Sequence, residues 1–329
     1  MRRRAFALLL MGVVAGVQCP SHAQPVVKTA RLAILSGASL GSPAAAPLFR
    51  AFRDQLARNG WEEGRNLIVD AASTDGKADL FAARAAELVA RSPDVIVATN
   101  SQAVAAAMAQ TSSVPIVMLD VSHPVEAGFV QSLASPGSNV TGVTNQGKDI
   151  AIKHYDLVRE LNPQVQRVGL VFTPSNVGSS LGLKEQTVTA HERGIAVVPI
   201  PFEGPADLDA AAMILKRERV QALQVHTTPA TITNRAPIAK LALELALPTI
   251  SFYPVMTQAG LLMSYGDNRI ASWRRAATYV DRLLRGERPT NLPVEQPTSF
   301  HLHINLKTAR ALGLTIPPTL LARADEVID

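Results

Sequence analysis

The side chains most able to do chemistry sit in short polar clusters, each just after an apolar run. Thr99-Asn100-Ser101 follows Asp94–Ala98 and precedes an alanine-rich stretch. Asn100 or Ser101 can cap a helix there, whose first amides lack partners, and a ligand carboxylate could take or share those donors. After Arg31–Ser36, the loop Gly37-Ala38-Ser39-Leu40-Gly41 can offer Ser36, Ser39 or a backbone N–H. Asp120-Val121-Ser122-His123-Pro124 ends another run, and Asp120 can either receive a ligand ammonium or tie down its own loop. Thr173-Pro174-Ser175-Asn176, Thr227-Thr228-Pro229 and Phe252-Tyr253 close later runs, and Tyr265 closes one more. Such a mixture suits a small neutral or amino-acid-like ligand, because rings bury apolar area while hydroxyls satisfy polar atoms. The candidate ligand contacts are Ser36, Ser39, Thr99, Asn100, Ser101, Asp120, Ser122, Thr173, Asn176, Thr227, Tyr253 and Tyr265.

Signs of turnover are lacking in the same sequence. His123 stands alone beside a proline turn, with no assignable nucleophile or acid partner. His301 and His303 alternate along an apparent strand and face one side. Two histidines without a nearby acidic or cysteine ligand fall short of a usual zinc site. HExxH, a GxGxxG fingerprint and a complete GxxxxGK[ST] phosphate loop do not occur, and Gly37-Ala38-Ser39-Leu40-Gly41 matches GxSxG by spelling alone. Asn139-Val140-Thr141 matches a glycosylation acceptor by spelling alone. With one cysteine, Cys19, there is neither a disulfide scaffold nor a multi-cysteine cluster. The reading is a binding protein without catalytic residues, metal or cofactor.

What must position these clusters is an alternation of short β-branched runs with longer stretches of helical period. Strands are predicted at Arg31–Ser36, Asn66–Ala71, Asp94–Ala98 and Pro115–Leu119, with helices over Pro43–Asn59, around Phe81–Val89 and from Ser101. The same grammar recurs with strands at Arg167–Phe172, Ile195–Ile200, Gln221–His226 and Pro248–Phe252. Helices are predicted there at Ser179–Arg193, Ala206–Arg219 and Thr231–Leu245. This is an α/β protein of two doubly wound parallel-sheet lobes, covered on both faces by helices. Right-handed crossovers carry the loops after the strands to one edge of each sheet, so two lobes leave a cleft between those edges. The first lobe is assigned to 30–145 and the second to 146–267, with Pro136–Asn145 near the join. After a possible strand at Leu261–Tyr265 and a helix over Ile270–Arg285, part of 268–329 is expected to return to the first lobe. Several hinge strands then limit the motion to opening and closing.

Composition fits that plan. The chain has 329 residues, 47% hydrophobic and 18% charged, which is enough for two cores and too apolar for disorder. Residues 1–23 read as an export signal. Arg2, Arg3 and Arg4 precede the apolar run Ala5–Val17, and Ser21-His22-Ala23 supplies a cleavage site. The run is 13 residues, shorter than the roughly 20 needed to span a bilayer. Gln18 precedes Cys19 where a lipoprotein signal requires a small residue, so cleavage is expected near Ala23. Arg3-Arg4-Ala5-Phe6 leaves both the general and the twin-arginine export routes open. Losing three of 32 basic side chains against 27 acidic ones takes the formal charge from +5 to +2. No dense basic stripe is left for nucleic acid. The expected product is a periplasmic monomer or weak dimer.

A broader pattern covers about residues 30–329. Its pieces include Asn59-Gly60-Trp61-Glu62-Glu63-Gly64-Arg65-Asn66, Pro136-Gly137-Ser138-Asn139-Val140-Thr141-Gly142 and Gly260-Leu261-Leu262-Met263-Ser264-Tyr265-Gly266. Gly286-Glu287-Arg288-Pro289 and Asn305-Leu306-Lys307-Thr308-Ala309 continue it. Together they resemble the ABC transporter substrate-binding protein family, which includes members tied to aromatic amino acids. The resemblance implies a periplasmic-binding-protein type I fold, a small-molecule ligand between two closing lobes, and delivery to an ABC permease in the inner membrane. A sensor that reports its closed state to a membrane receptor is the alternative use of the same lobes. The family's Asp-Pro pair after the fourth strand stands here as His123-Pro124, and its Asn-Pro loop as Thr173-Pro174. Pocket polarity therefore departs from the family's at both positions.

Overall fold

The structure, a computed structural model, describes residues 29–145 and 148–329. The expected signal segment 1–23, with Cys19, lies outside the described residues.

The first lobe is built from β1 (Ala30–Ser36), α1 (Ala46–Arg58), β2 (Leu67–Ser73), α2 (Phe81–Val89), β3 (Val95–Ala98), α3 (Ser101–Gln110), β4 (Ile116–Val121) and β5 (Val140–Thr144). The strands run parallel in the order β2-β1-β3-β4-β5. Alternation along the central strands splits the core by face. Leu32, Ile34, Val95 and Val97 pack with Leu48, Phe52 and Leu56 of α1, whereas Ala33, Leu35, Ile96 and Ala98 pack with Phe81, Leu88 and Val104 of α2 and α3.

The second lobe follows with α4 (Lys148–Leu161), β6 (Arg167–Phe172), α5 (Val177–His191), β7 (Ala196–Pro201), α6 (Leu208–Arg217), β8 (Ala222–Val225), α7 (Pro229–Thr233), α8 (Arg235–Glu244), β9 (Thr249–Ser251), α9 (Pro254–Gln258) and β10 (Met263–Asp267). Then come α10 (Arg269–Leu284), β11 (Phe300–Asn305), α11 (Leu306–Ala311), α12 (Pro318–Leu321) and β12 (Glu326–Ile328). The second sheet has the order β12-β11-β10-β9-β8-β6-β7. It is parallel except where β11 runs against β10.

That reversal records how the chain travels. After β10 it leaves the second sheet, and α10 buries Trp273, Ala276, Ala277 and Val280 in the first-lobe core beside α1. Val143 then bridges to Glu295, and Tyr279 donates its hydroxyl to the Pro293 carbonyl. Only after this does the chain re-enter the second sheet as β11, from the opposite end. The sheets are thus dominated by parallel pairs, as expected, and the excursion accounts for the antiparallel neighbour pair in the second one. The helix predicted over Thr231–Leu245 is two, α7 and α8. They are separated at Asn234, whose side-chain amide turns back to the Ala230 carbonyl.

The end of β4 carries the local irregularity that matters most. Met118 pairs with Gly142 but Val121 pairs with Thr144, so β4 holds one extra residue. Asp120 takes a left-handed backbone conformation (φ 55°) at this bulge. Bulges re-aim side chains, and here Leu119 and Val121 stay in opposite cores while Asp120 is turned out between the lobes.

Candidate functional site

The C-terminal ends of β1, β3, β4, β6, β8 and β9 face one another across the interlobe cleft. Three of the loops start helices with a side-chain cap. Asn100 Oδ1 accepts from Ala103 N–H at 2.9 Å, Asn176 Oδ1 from Ser179 N–H at 2.9 Å, and Thr228 Oγ1 from Thr231 N–H at 3.3 Å. The positive ends of α3 and α5 therefore point toward the cleft from opposite lobes.

Two adjoining cavities of about 60 Å³ each lie between the lobes and share Asn100, Asp120, Thr227, Thr228 and Pro229. One is polar, with Ser101, Ser122, His123, Asn145, Asn176, Gln186 and His226 in its wall. The other is more apolar, with Ala38, Ala44, Ile232, Tyr253 and Trp273 beside Ser36, Thr99 and Arg269. A larger surface groove of about 750 Å³ runs along α1, away from this junction, past Phe49, Trp61 and the exposed Arg53–Glu63 pair.

Asp120 pairs with Arg269 through Oδ2, and Trp273 Nε1 donates to the same oxygen at 3.4 Å. Both partners are largely buried, at 7% and 15% side-chain exposure, so the pair is screened little by solvent. Arg269 lies 4.2 Å over the Tyr253 ring, whose hydroxyl accepts from Asn145 Nδ2 at 3.1 Å. Burial works against the guanidinium's charge, but Asp120, Tyr253 and Asp267 outweigh it and raise its pKa. Burial likewise pushes the Tyr253 phenol up, reinforced by Asp120 and Asp267.

Four buried atoms of the lining side chains have no protein partner: Asp120 Oδ1, Asn145 Oδ1, Asn100 Nδ2 and Arg269 Nε. Two are acceptors and two are donors. A buried polar atom without a partner costs about 1–3 kcal/mol, so four in one cleft mark a place for a polar ligand.

The polar wall is fixed from behind. His226 Nδ1 meets Ser179 Oγ at 3.1 Å and its Nε2 meets Gln186 Nε2 at 2.7 Å. Burial holds His226 down to about 3, with help from His123 and His154 and against its bond to Ser179. The ring is therefore neutral, with Nδ1–H donating to Ser179 and Nε2 accepting from Gln186. His154 is buried one layer deeper, between the Gln224 amide and the Tyr265 carbonyl, and burial lowers it to about 4.

Of the residues expected at the cleft, Ser36, Thr99, Asn100, Ser101, Asp120, Ser122, Asn176, Thr227 and Tyr253 line one or both cavities. Three lie elsewhere. Ser39 is exposed in the turn after β1, where its carbonyl accepts from Ser42 N–H. Thr173 is buried behind the loop, bonded at 2.7 Å to Thr228. Tyr265 stacks on Phe300 on the outer part of the second sheet. Arg269, Trp273, Asn145, Gln186 and His226 are lining residues that the strand-loop pattern did not single out. His123, set aside as a catalyst, lies in the wall, 3.5 Å from Glu185 across the cleft.

Among the described residues, no group of three or more His, Cys, Asp or Glu side chains could hold a metal ion. No helix of the described residues is long and apolar enough to cross a membrane.

A sequence model described as ABC transporter substrate binding protein matches residues 35–328. A tyrosine-binding protein of Clostridioides difficile is 25% identical over 266 residues, 80% of this chain and 76% of that one. Among solved structures, a conserved domain protein from Vibrio cholerae is 27% identical, with a TM-score of 0.85 over 91% of this chain and all of that one. An ABC domain in complex with L-Trp from Streptococcus pneumonia is 23% identical, with a TM-score of 0.85 over 92% of this chain and all of that one. The fold is that of the type I periplasmic binding proteins.

Proposed function

Since the chain belongs to the family of ABC transporter substrate binding proteins, we propose that it is an exported periplasmic protein that captures a small amino-acid-like ligand between its lobes and delivers it to an ABC importer. The observation that carries this reading is the pairing of unpartnered acceptors with unpartnered donors at one junction. A zwitterion has the complementary set. Its ammonium donates to Asp120 Oδ1 and Asn145 Oδ1. Its carboxylate accepts from Asn100 Nδ2 at the positive end of α3, where Asn100 is already held by its cap.

The remainder of the ligand extends into the adjoining cavity walls. Tyrosine and tryptophan in the descriptions of two relatives support an amino acid as the ligand class. Because those atoms belong to the first lobe while Thr227, Thr228 and Pro229 of the second lobe complete the same cavities, ligand and closure stabilise each other. The closed shape is then what a permease in the inner membrane reads.

A thermal-shift screen over amino acids, aromatic acids, nucleosides and small carboxylates tests this. A ligand at one hundred times its Kd adds about 2.7 kcal/mol to the native state. The expected hits carry both an ammonium and a carboxylate. Stabilisation by nucleosides or simple carboxylates alone would overturn the reading.

A further inference from the structure

Asp267 takes no part in lining either cavity, yet it lies two residues from Arg269, whose pair with Asp120 does. It ends β10, where the chain leaves the second sheet, and Arg269 follows two residues later at the start of α10. Asp267 is 5% exposed, and its Oδ2 accepts from Ser272 Oγ at 3.0 Å. Asp120 and Arg269 both act on it electrostatically. The Arg269 guanidinium is thus paired with one buried carboxylate and acted on by a second, Asp267, two residues before it in the chain.

This matters because an isolated Asp120–Arg269 pair would be electrically neutral. Arg269 would satisfy Asp120 and leave little attraction for a second cation. A second carboxylate next to the same guanidinium restores a surplus negative charge, and Asp120 Oδ1 is the cleft-lining carboxylate oxygen without a partner. We propose that Asp267 is a positioning residue that acts through Arg269, keeping the free oxygen of Asp120 attractive to a cationic nitrogen and so selecting ammonium ligands over neutral or anionic ones. This rests on the placement of the ligand's ammonium at Asp120.

Burial, followed by the nearby Asp120, raises the Asp267 carboxyl to about 6, so its charge changes in a range a solution experiment can reach. The titratable and charged groups around it are Asp120 from β4, Arg269 from α10 and Tyr253 before α9. His301, His303 and Glu326 from β11 and β12 line the outer groove that Asp267 also borders.

The test is calorimetric titration, from pH 5 to 8, of the mature protein and the variants Asp120→Asn, Asp267→Asn and Asp267→Glu. The probe is whichever of the twenty common L-amino acids stabilises the wild type most, compared with its des-amino analogue. The wild type should hold a steady affinity above pH 7 and lose up to about tenfold per pH unit below about 6. Asp267→Asn should bind about tenfold more weakly at pH 7.5, with a flat profile and a smaller preference over the des-amino analogue. Asp267→Glu should restore the pH dependence.

If Asp120→Asn abolishes binding while Asp267→Asn keeps both affinity and pH profile, the role of Asp267 is refuted and the ligand placement stands. If Asp120→Asn binds like the wild type, or no amino acid binds, the placement falls and this inference falls with it. Should Asp267→Asn fail to fold, a wild-type affinity that stays level from pH 5 to 8 is enough to overturn the proposal.

Discussion

Gly37 and Pro229 meet across the cleft so closely that a methyl group on Gly37 would stand 2.4 Å from Pro229 Cγ. Gly37 follows β1 in the first lobe and Pro229 opens α7 in the second. Gly178 makes the matching approach farther along, where a methyl would lie 2.6 Å from Ser101 Oγ and 2.9 Å from Ser122 Oγ. The closed arrangement therefore depends on missing side chains at its contact points.

Gly37→Ala should block closure, because the stiff proline ring cannot rotate away as a serine hydroxyl can. The expected result is a loss of ligand affinity of at least about tenfold, or roughly 1.4 kcal/mol, with little change in the unfolding midpoint of the ligand-free protein. Small-angle scattering should show no compaction on adding ligand. Compaction equal to the wild type would contradict the steric argument.

Asn100 separates capping from binding within a single side chain. Its oxygen caps α3 while its nitrogen is unpartnered. Asn100→Asp keeps an acceptor for the cap but loses the donor, so affinity should fall while stability is held. Asn100→Ala should lose both, with about 1 kcal/mol of stability gone with the cap. Chemical denaturation and calorimetry on the two variants distinguish these outcomes.

Removing Arg269 strands a buried carboxylate. Arg269→Leu should cost about 3–5 kcal/mol, the range seen when one partner of a buried pair is deleted. Adding Asp120→Asn should recover much of that loss, because the stranded charge is gone. Equal instability in single and double variants would show that Arg269 acts through packing on Tyr253 instead.

Acid should weaken the fold in a way that can be assigned to particular groups. His154 and His226 are neutral in the native state, held at about 4 and 3, whereas both charge near 6.5 when unfolded. Their contribution is present above pH 6.5 and falls by about 1.4 kcal/mol per pH unit for each histidine as pH drops toward those values. Asp267 works in the opposite sense. Its raised pKa means that the native state binds its proton first, so between about 6 and 4 it returns about 1.4 kcal/mol per unit as pH falls. From these three groups, stability should fall by about 1.4 kcal/mol per unit between pH 6 and 5, because Asp267 offsets one of the two histidines, and urea midpoints should follow. In Asp267→Asn the fall should steepen toward twice that as pH drops through the same range.

The lobes were legible because parallel strands buried on both faces demand continuous apolar runs, and Leu32–Leu35, Val95–Ala98 and Val168–Val171 supply them. The cap at Asn100 was legible because local hydrogen bonding sets it, whereas Asn176, read only as a loop contact, caps a helix that starts two residues earlier than its pattern suggests. Asp120 was visible as a carboxylate at a strand end, but its aim depends on the register of β4 against β5, a long-range pairing. Arg269 reads locally as one more helix-start arginine, and only the return of α10 onto the first lobe brings it to Asp120. Tyr265 was misplaced because it sits in β10 with its ring on the Phe300 side, away from the cleft. The polar wall of His226 and Gln186 joins a strand end to the middle of α5, which no local spacing reveals.

A crystal structure of the mature protein bound to its most stabilising amino acid tests the central claim most directly. The account predicts the ligand nitrogen about 2.7–2.9 Å from Asp120 Oδ1, with its carboxylate on Asn100 Nδ2. A ligand seated between the lobes with its carboxylate toward Asp120, or bound outside the cleft altogether, would contradict it.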